Sequence, residues 1–86
     1  MIIDFHKSFY KHSTTLKPAQ KKRLKKALLL FTDEPYHVDL YNHPLTGEWK
    51  GFRSISFGGD WRAHYVVIDK NTVLFVAVGT HSQLYK

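Results

Sequence analysis

The chain has 86 residues, and we expect residues 1–86 to form a single domain with a small core. It contains no cysteine, which excludes disulfide bonds, thiolate metal sites and cysteine nucleophiles, and favours a cytoplasmic protein. A formal net charge of +6 favours a polyanionic partner such as RNA or DNA, although an acidic protein would also satisfy it. No apolar run, including the one at residues 27–31, is long enough to cross a bilayer, so we expect no membrane association.

The N-terminal half predicts one short strand and two helices. Residues 1–5 alternate weakly, as a strand does, and the apolar spacing over residues 7–13 suggests a short helix. The next helix has the clearest pattern, because Pro18 suits a first helical turn and apolar residues then recur from Leu24 at i, i+3, i+4 and i+7. We expect this helix to end near Asp33, where acidic residues and a proline follow.

The C-terminal half predicts a small sheet. Residues 35–50 have no hydrophobic period and predict a loop. Three strands should follow over residues 52–57, 61–68 and 72–78, with a tight hairpin turn at residues 69–71. The predicted fold is therefore α+β, with two N-terminal helices packed on one face of a small antiparallel sheet.

Alternation along the second of these strands separates two faces of the sheet. Trp61, Ala63 and Tyr65 point to one face, which is apolar enough to meet the helices. Arg62 and His64 point to the other face. Packing gives no reason to place a guanidinium beside an imidazole, so this second face is either functional or simply exposed to solvent.

Three polar segments lie among the predicted strands, and their order and spacing carry a family resemblance. Residues 43–53 read His-Pro-Leu-Thr-Gly-Glu-Trp-Lys-Gly-Phe-Arg, residues 60–65 read Asp-Trp-Arg-Ala-His-Tyr, and residues 79–85 read Gly-Thr-His-Ser-Gln-Leu-Tyr. Together they resemble the RelE/YafQ-like bacterial toxins, which are ribosome-dependent mRNA endonucleases of type II toxin–antitoxin systems. The resemblance covers residues 43–85 at motif level, and the N-terminal half fits the family in its layout.

The resemblance implies five catalytic residues. His81 matches a catalytic histidine that follows the last strand, and it is our first choice for proton transfer, a role for which imidazoles are commonly used. His43 and Asp60 match site residues of the YafQ-like branch, although Asp60 also suits a turn after the two glycines that precede it. Arg62 matches a RelE-like arginine that holds the scissile phosphate. Tyr85 matches a terminal aromatic residue that stacks on a substrate base.

A second set of residues is expected to contact RNA without taking part in the chemistry. Arg53 matches either a basic residue that sets the conformation of the site or a residue that contacts RNA. His64 is included because it shares a strand face with Arg62. The predicted second helix adds five basic residues, Lys21, Lys22, Arg23, Lys25 and Lys26. Each of these basic residues alone is equally well explained by a solvated helix face. As a group they suit binding to ribosomal RNA phosphates, and such contacts position a protein without reading the RNA sequence.

The implied partners are the ribosome, its mRNA and a cognate antitoxin protein. We expect no cofactor and no metal site, because the remaining histidines have no close partners at ligand spacing.

Two positions depart from the YafQ-like pattern. That branch has a third histidine where this chain has Ser56, and an arginine where it has Ala77. Arg62 could supply the missing positive charge and His64 the missing imidazole.

Two other functions stay open at this point. The first is a ParE-like gyrase poison of the same fold; such proteins lack the C-terminal His and Tyr, so His81 and Tyr85 argue against it. The second is a toxin that only binds its antitoxin because its nuclease function has decayed, which Ser56 and Ala77 allow.

Overall fold

The computed structural model describes residues 1–85 and confirms the predicted α+β architecture. Lys86, the last residue of the predicted domain, lies outside the described residues. The elements in chain order are β1 (Ile2–Phe5), α1 (Lys7–Thr14), α2 (Pro18–Asp33), β2 (His43–Pro44), β3 (Arg53–Ser56), β4 (Trp61–Asp69), β5 (Thr72–Thr80) and α3 (His81–Leu84).

Helix α2 forms for the reasons that its sequence indicates. Pro18 occupies the first turn, where a missing N–H removes no intrahelical hydrogen bond. Leu24, Ala27 and Phe31 form its buried face, and the helix ends at Asp33. Among residues 1–85, none of the helices has the length and hydropathy of a transmembrane segment.

The five-stranded sheet is mixed, with the strand order β1-β5-β4-β3-β2. β1 pairs in parallel with β5, so that Ile2 lies opposite Thr72, whereas the other neighbours are antiparallel. The predicted antiparallel sheet is confirmed for β2 to β5, whereas the pairing at the β1 edge is parallel and was not expected. The chain between β1 and β5 includes both helices and three strands, which is long enough for a parallel connection.

The core lies between the helices and one face of the sheet. The ring centroid of Phe31 lies 4.9 Å from that of Tyr65 and 5.3 Å from that of Phe75. Ala63 is fully buried in the same cluster, and Trp61 packs against its margin. The predicted apolar face of β4 is thus confirmed, and its opposite face is left for other contacts.

The segment predicted as a loop contains more structure than expected. Two short 3-10 helices, Val38–Leu40 and Gly47–Trp49, lie on either side of β2. Single 3-10 turns and two-residue strands are too short to leave a hydrophobic period, so the sequence pattern did not reveal them. The chain after β5 also continues into α3, which was not predicted.

Candidate active site

The sheet face turned away from the helices carries a row of polar side chains. Cross-strand pairing places His43 opposite Ser54, Ser54 opposite His64, and His64 opposite Ala77. Directly opposed residues project from the same face, so β2 to β5 present these side chains side by side. Arg62 lies in the next row along β4.

A bulge in β5 sets which residues face this row. Ala77 pairs with His64, and Phe75 pairs with the next residue of β4, so Val76 has no partner in the register. The extra residue reverses the alternation, since Phe75 and Val78 both lie in the core. Ala77 is consequently turned to the site face.

His64 lies at the centre of the site and is fully buried. Its ring centroid lies 4.4 Å from that of Trp49 and 5.5 Å from that of Tyr85, and neither ring nitrogen has a hydrogen-bond partner within residues 1–85. Burial, followed by the nearby charges of His43, Arg62 and His81, lowers the pKa of His64 to about 4. The ring is therefore neutral near pH 7.

The burial of His64 corrects one expectation. A direct contact with RNA needs exposed surface, and this ring has none in the structure. The solvent-exposed interpretation of this strand face is also wrong at His64. The cover comes from residues distant in sequence, which strand alternation alone cannot identify.

Arg62 is anchored through one of its terminal nitrogens. Its Nη1 donates to Ser56 Oγ at 3.1 Å, to the Gly59 carbonyl at 2.8 Å and to the Trp61 carbonyl at 3.0 Å. Within residues 1–85 the guanidinium has no carboxylate partner and no hydrogen bond from Nε or Nη2. A half-buried guanidinium held in this way suits a bidentate bond to a phosphate.

Helix α3 positions His81 and Tyr85. Thr80 and Gln83 form a capping box, in which the Gln83 N–H donates to Thr80 Oγ1 at 3.2 Å and the Thr80 N–H donates to Gln83 Oε1 at 2.9 Å. The rings of His81 and Tyr85 are stacked, with centroids 4.4 Å apart. The Thr-x-x-Gln spacing is the sequence signal that could have revealed this helix.

Trp49 holds α3 next to the site through a hydrogen bond, a role that the sequence did not reveal. Its indole Nε1–H donates to the Leu84 carbonyl at 3.0 Å. The same ring packs edge-on against His64. A tryptophan indole has one donor, and here that donor joins the second 3-10 helix to the C-terminal helix.

Asp60 lies next to His81 through the backbone. The His81 N–H donates to the Asp60 carbonyl at 2.9 Å, which ties the start of α3 to the turn before β4. The Asp60 carboxylate is exposed and has no ion pair within residues 1–85. It therefore occupies a turn, as the competing interpretation held, and the same turn is at the edge of the site.

His43 is exposed on β2, the edge strand next to β3. Its Nδ1 lies 2.7 Å from the Tyr41 carbonyl oxygen. Because a carbonyl can only accept, this contact places the proton of a neutral His43 on Nδ1 and leaves Nε2 as a proton acceptor.

Arg53 lies on the other side of the sheet. It pairs with Tyr65, whose ring is in the core, and its Nε donates to Asn42 Oδ1 at 2.9 Å. Its guanidinium carbon lies 5.4 Å from the centre of the Tyr36 ring. These contacts support the loop before β2. They therefore favour the expectation that Arg53 is a basic residue that sets the conformation of the site over the expectation that it contacts RNA.

The basic residues of α2 are all exposed, but they do not form one surface. Lys21 and Lys25 border an apolar groove between β1, α1 and α2. Arg23 and Lys26 line a cleft at the glycine turn between β3 and β4. That turn also supplies an oxygen to Arg62, so this second pair lies at the same end of the sheet as the site.

The arrangement brings four of the five predicted catalytic residues together around His64, whereas Asp60 contacts this group only through its backbone carbonyl. The imidazoles of His43 and His81 and the guanidinium of Arg62, which has no carboxylate partner within residues 1–85, lie around His64, and the Tyr85 ring contacts it. Within residues 1–85 no three His, Asp or Glu side chains are grouped as metal ligands. The site has the groups for acid–base chemistry at a phosphate.

Comparison with known proteins gives the family. The sequence profile described as "Bacterial toxin of type II toxin-antitoxin system, YafQ" matches residues 1–86. The chain belongs to this family. The mRNA interferase toxin YafQ of Escherichia coli K12 is 33% identical over 81 residues, covering 86% of this chain and 87% of that protein.

Solved structures of YafQ proteins share the whole fold. The crystal structure of YafQ from E. coli BL21(DE3) has a TM-score of 0.82 at 27% identity, covering 98% of this chain and 97% of that one. YafQ in the E. coli DinJ–YafQ toxin–antitoxin complex has a TM-score of 0.79 at 28% identity, covering 98% and 96%. The predicted resemblance to RelE/YafQ-like toxins is confirmed.

Each of the two departures of this YafQ-family toxin lies beside the residue that was expected to compensate for the other one. Ser56 pairs with Arg62 and accepts a hydrogen bond from it. Ala77 pairs with His64. The guanidinium therefore borders the position of the missing histidine, whereas the imidazole borders the position of the missing arginine and is buried.

Proposed function

We propose that this toxin is an endoribonuclease that cuts mRNA in the A site of cytoplasmic ribosomes. Its family membership and the mRNA interferase activity named for the E. coli relative support this proposal. The observation that carries it for this chain is the placement of His43, Arg62 and His81 around the buried His64. Such a site holds a phosphate between two groups that can move protons.

The proposed reaction uses the RNA's own 2′-hydroxyl as nucleophile. Nε2 of His43 takes the 2′-OH proton while the oxygen attacks the adjacent phosphorus. The bond to the 5′-oxygen breaks, and this oxygen leaves with a proton from His81, so the products are a 2′,3′-cyclic phosphate and a 5′-hydroxyl. Asp60, in the turn before β4 whose carbonyl accepts from the His81 N–H, is the remaining candidate for proton transfer.

Arg62 and Tyr85 bind the substrate in this proposal. The unpaired side of the Arg62 guanidinium holds the phosphate and stabilises the charge that builds on its oxygens. The Tyr85 ring, which is 37% exposed, stacks on a base at the mouth of the site. Burial raises the pKa of the Tyr85 hydroxyl, so this ring stays neutral while it stacks.

Primer extension on an mRNA translated in a purified system tests the proposal. We expect new 5′ ends at ribosomal A-site positions when toxin and ribosomes are both present, and none when ribosomes are omitted. Intact mRNA in the complete reaction would reject the proposed function. Cuts of equal number without ribosomes would reject ribosome dependence.

The two basic pairs of α2 are proposed to have different partners. Arg23 and Lys26 lie at the Arg62 end of the sheet and suit ribosomal RNA phosphates. Lys21 and Lys25 border a groove of about 580 Å³, whose floor is formed by apolar side chains of β1, α1 and α2. An amphipathic antitoxin segment with acidic flanks matches this groove in both shape and charge.

Paired substitutions separate these two surfaces. Replacing Arg23 and Lys26 with Gln should weaken ribosome pelleting and flatten its salt dependence, because fewer counterions are released. Replacing Lys21 and Lys25 with Gln removes the same number of positive charges, but it should reduce ribosome pelleting less than replacing Arg23 and Lys26 does. Equal losses from both pairs would mean that α2 acts only through its total charge.

The groove is tested with an antitoxin isolated by its ability to rescue growth. Leu29 lines the groove and is 64% exposed, so Leu29→Asp should weaken antitoxin binding while mRNA cleavage is kept. Ile68→Asp is a matched control, since Ile68 is similarly exposed but lies on β4 outside the groove. Unchanged rescue of the Leu29→Asp toxin would place the antitoxin elsewhere.

A further inference from the structure

Tyr41, whose carbonyl contacts His43, has an unusual backbone conformation. Tyr41 is the only non-glycine residue within residues 1–85 with a positive φ, at 49° with ψ at 42°. Residues with side chains disfavour this left-handed region. The Tyr41 side chain is 71% exposed, so packing of its ring does not account for the conformation. Its carbonyl, however, is the group that meets His43 Nδ1.

Asn42 ties this loop to three other elements of the chain. Its Nδ2 donates to the Pro35 carbonyl at 2.8 Å, after the end of α2, and to the Tyr65 hydroxyl of β4 at 2.7 Å. Its Oδ1 accepts from Arg53 Nε of β3 at 2.9 Å. Both amide protons and the amide oxygen are used, which is the full complement of side-chain groups that an asparagine offers as donors and acceptor.

These hydrogen bonds fix the loop just before His43 in the chain. Asn42, the residue between Tyr41 and His43, anchors this part of the backbone to β3, β4 and the segment after α2. The left-handed turn at Tyr41 then presents a carbonyl to Nδ1 of His43. Since the carbonyl accepts only, the neutral imidazole carries its proton there and its Nε2 has a free lone pair.

We infer that Asn42 and Tyr41 are positioning residues that hold His43 with its proton on Nδ1, so that Nε2 can accept the proton of the substrate 2′-hydroxyl. The inference rests on the proposed function of His43 as a base. It assigns the Tyr41 side chain no part, since only its backbone carbonyl is used. Arg53 contributes indirectly by holding Asn42.

Two substitutions of Tyr41 test the backbone requirement. Both Tyr41→Asn and Tyr41→Val remove the exposed ring, but asparagine tolerates the left-handed region whereas β-branched valine does not. Tyr41→Val should lower mRNA cleavage on ribosomes by roughly 10- to 100-fold, because a displaced base loses its alignment. Tyr41→Asn should stay close to the wild-type rate.

A direct reading of the tautomer separates positioning from mere support of the fold. Long-range ¹H–¹⁵N spectra of the free toxin at pH 8 report which imidazole nitrogen is protonated, and His43→Gln identifies the His43 signals. We expect the Nδ1–H form in wild type and Tyr41→Asn. Tyr41→Val, and Asn42→Leu as a second variant, should show a mixture with the Nε2–H form.

The outcomes distinguish this inference from the proposed function. If both Tyr41→Val and Asn42→Leu are folded and keep the wild-type rate and the Nδ1 proton, the positioning role is overturned. An Nε2–H form in the wild type would also overturn it. If the wild type cuts no mRNA but the His43 tautomers are as expected, the proposed function is rejected, whereas the positioning of His43 by Tyr41 and Asn42 is supported.

Discussion

Acidification should destabilise this toxin through His64. The unfolded chain takes up a proton on His64 near the usual pKa of 6.5, whereas the folded toxin does so only near a pKa of about 4. Between these values the unfolded state binds more protons, so the free energy of unfolding falls as the pH is lowered from about 6.5 to about 4. Above that window His64 is neutral in both states and contributes no pH dependence.

The magnitude follows from the same difference in pKa. One pKa unit is worth about 1.4 kcal/mol, so lowering the pKa of His64 from 6.5 to about 4 corresponds to about 3 kcal/mol. Small domains have a free energy of unfolding of about 5–15 kcal/mol, so this is a large share of the total. The main cause is burial against Trp49 and Tyr85, where neither ring nitrogen has a hydrogen-bond partner among residues 1–85.

Urea denaturation followed by circular dichroism at pH 7 and pH 4 measures the effect. The wild type should lose about 3 kcal/mol more between these pH values than His64→Leu, which has no proton to gain. His64→Gln is the control, because it is also non-titrating but keeps polar atoms at the buried position. If the wild type and both variants lost the same stability, the assignment of this titration to His64 would be refuted.

Three further substitutions test the site's construction. Arg62→Lys should lose most mRNA cleavage while ribosome binding is kept, because an ammonium cannot form a bidentate bond to phosphate; an equally active lysine variant would reduce Arg62 to a surface charge. Gly79→Ala places a Cβ 2.8 Å from Gln83 Oε1, so it should disrupt the cap of α3 and cost about 1 kcal/mol in urea denaturation, and unchanged stability would contradict that packing. Trp49→Phe removes the hydrogen bond to the Leu84 carbonyl and should lower the free energy of unfolding by about 1 kcal/mol, with faster amide exchange in α3 as the specific readout.

Regular elements were predictable where the chain repeats a local pattern. The period from Leu24 to Phe31 identified α2, and alternation from Trp61 to Tyr65 identified the core face of β4. Both patterns reflect which side chains meet the core. The parallel pairing of β1 with β5 was not predictable in this way, because strand direction in the sheet depends on the path of the whole chain.

The sequence identified candidate residues of the site but not the contacts that bury and position them. Family motifs pointed to His43 and His81, and their roles remain predictions. The burial of His64 depends on Trp49 and Tyr85, which precede and follow it by many residues and leave no mark on the pattern of β4. The roles of Asn42 and Tyr41 depend on hydrogen bonds between separate loops and strands, which carry no periodic signal.

The rate of mRNA cleavage by His81→Ala tests the central claim most directly. Purified ribosomes with a defined codon in the A site are mixed with excess wild-type toxin, His81→Ala, or Ser82→Ala as a matched exposed control on the same helix. We predict that His81→Ala cuts roughly 10²- to 10⁴-fold more slowly, with an unchanged circular dichroism spectrum, while Ser82→Ala cuts at the wild-type rate. Cleavage by His81→Ala at the wild-type rate would contradict the assignment of proton transfer to this site.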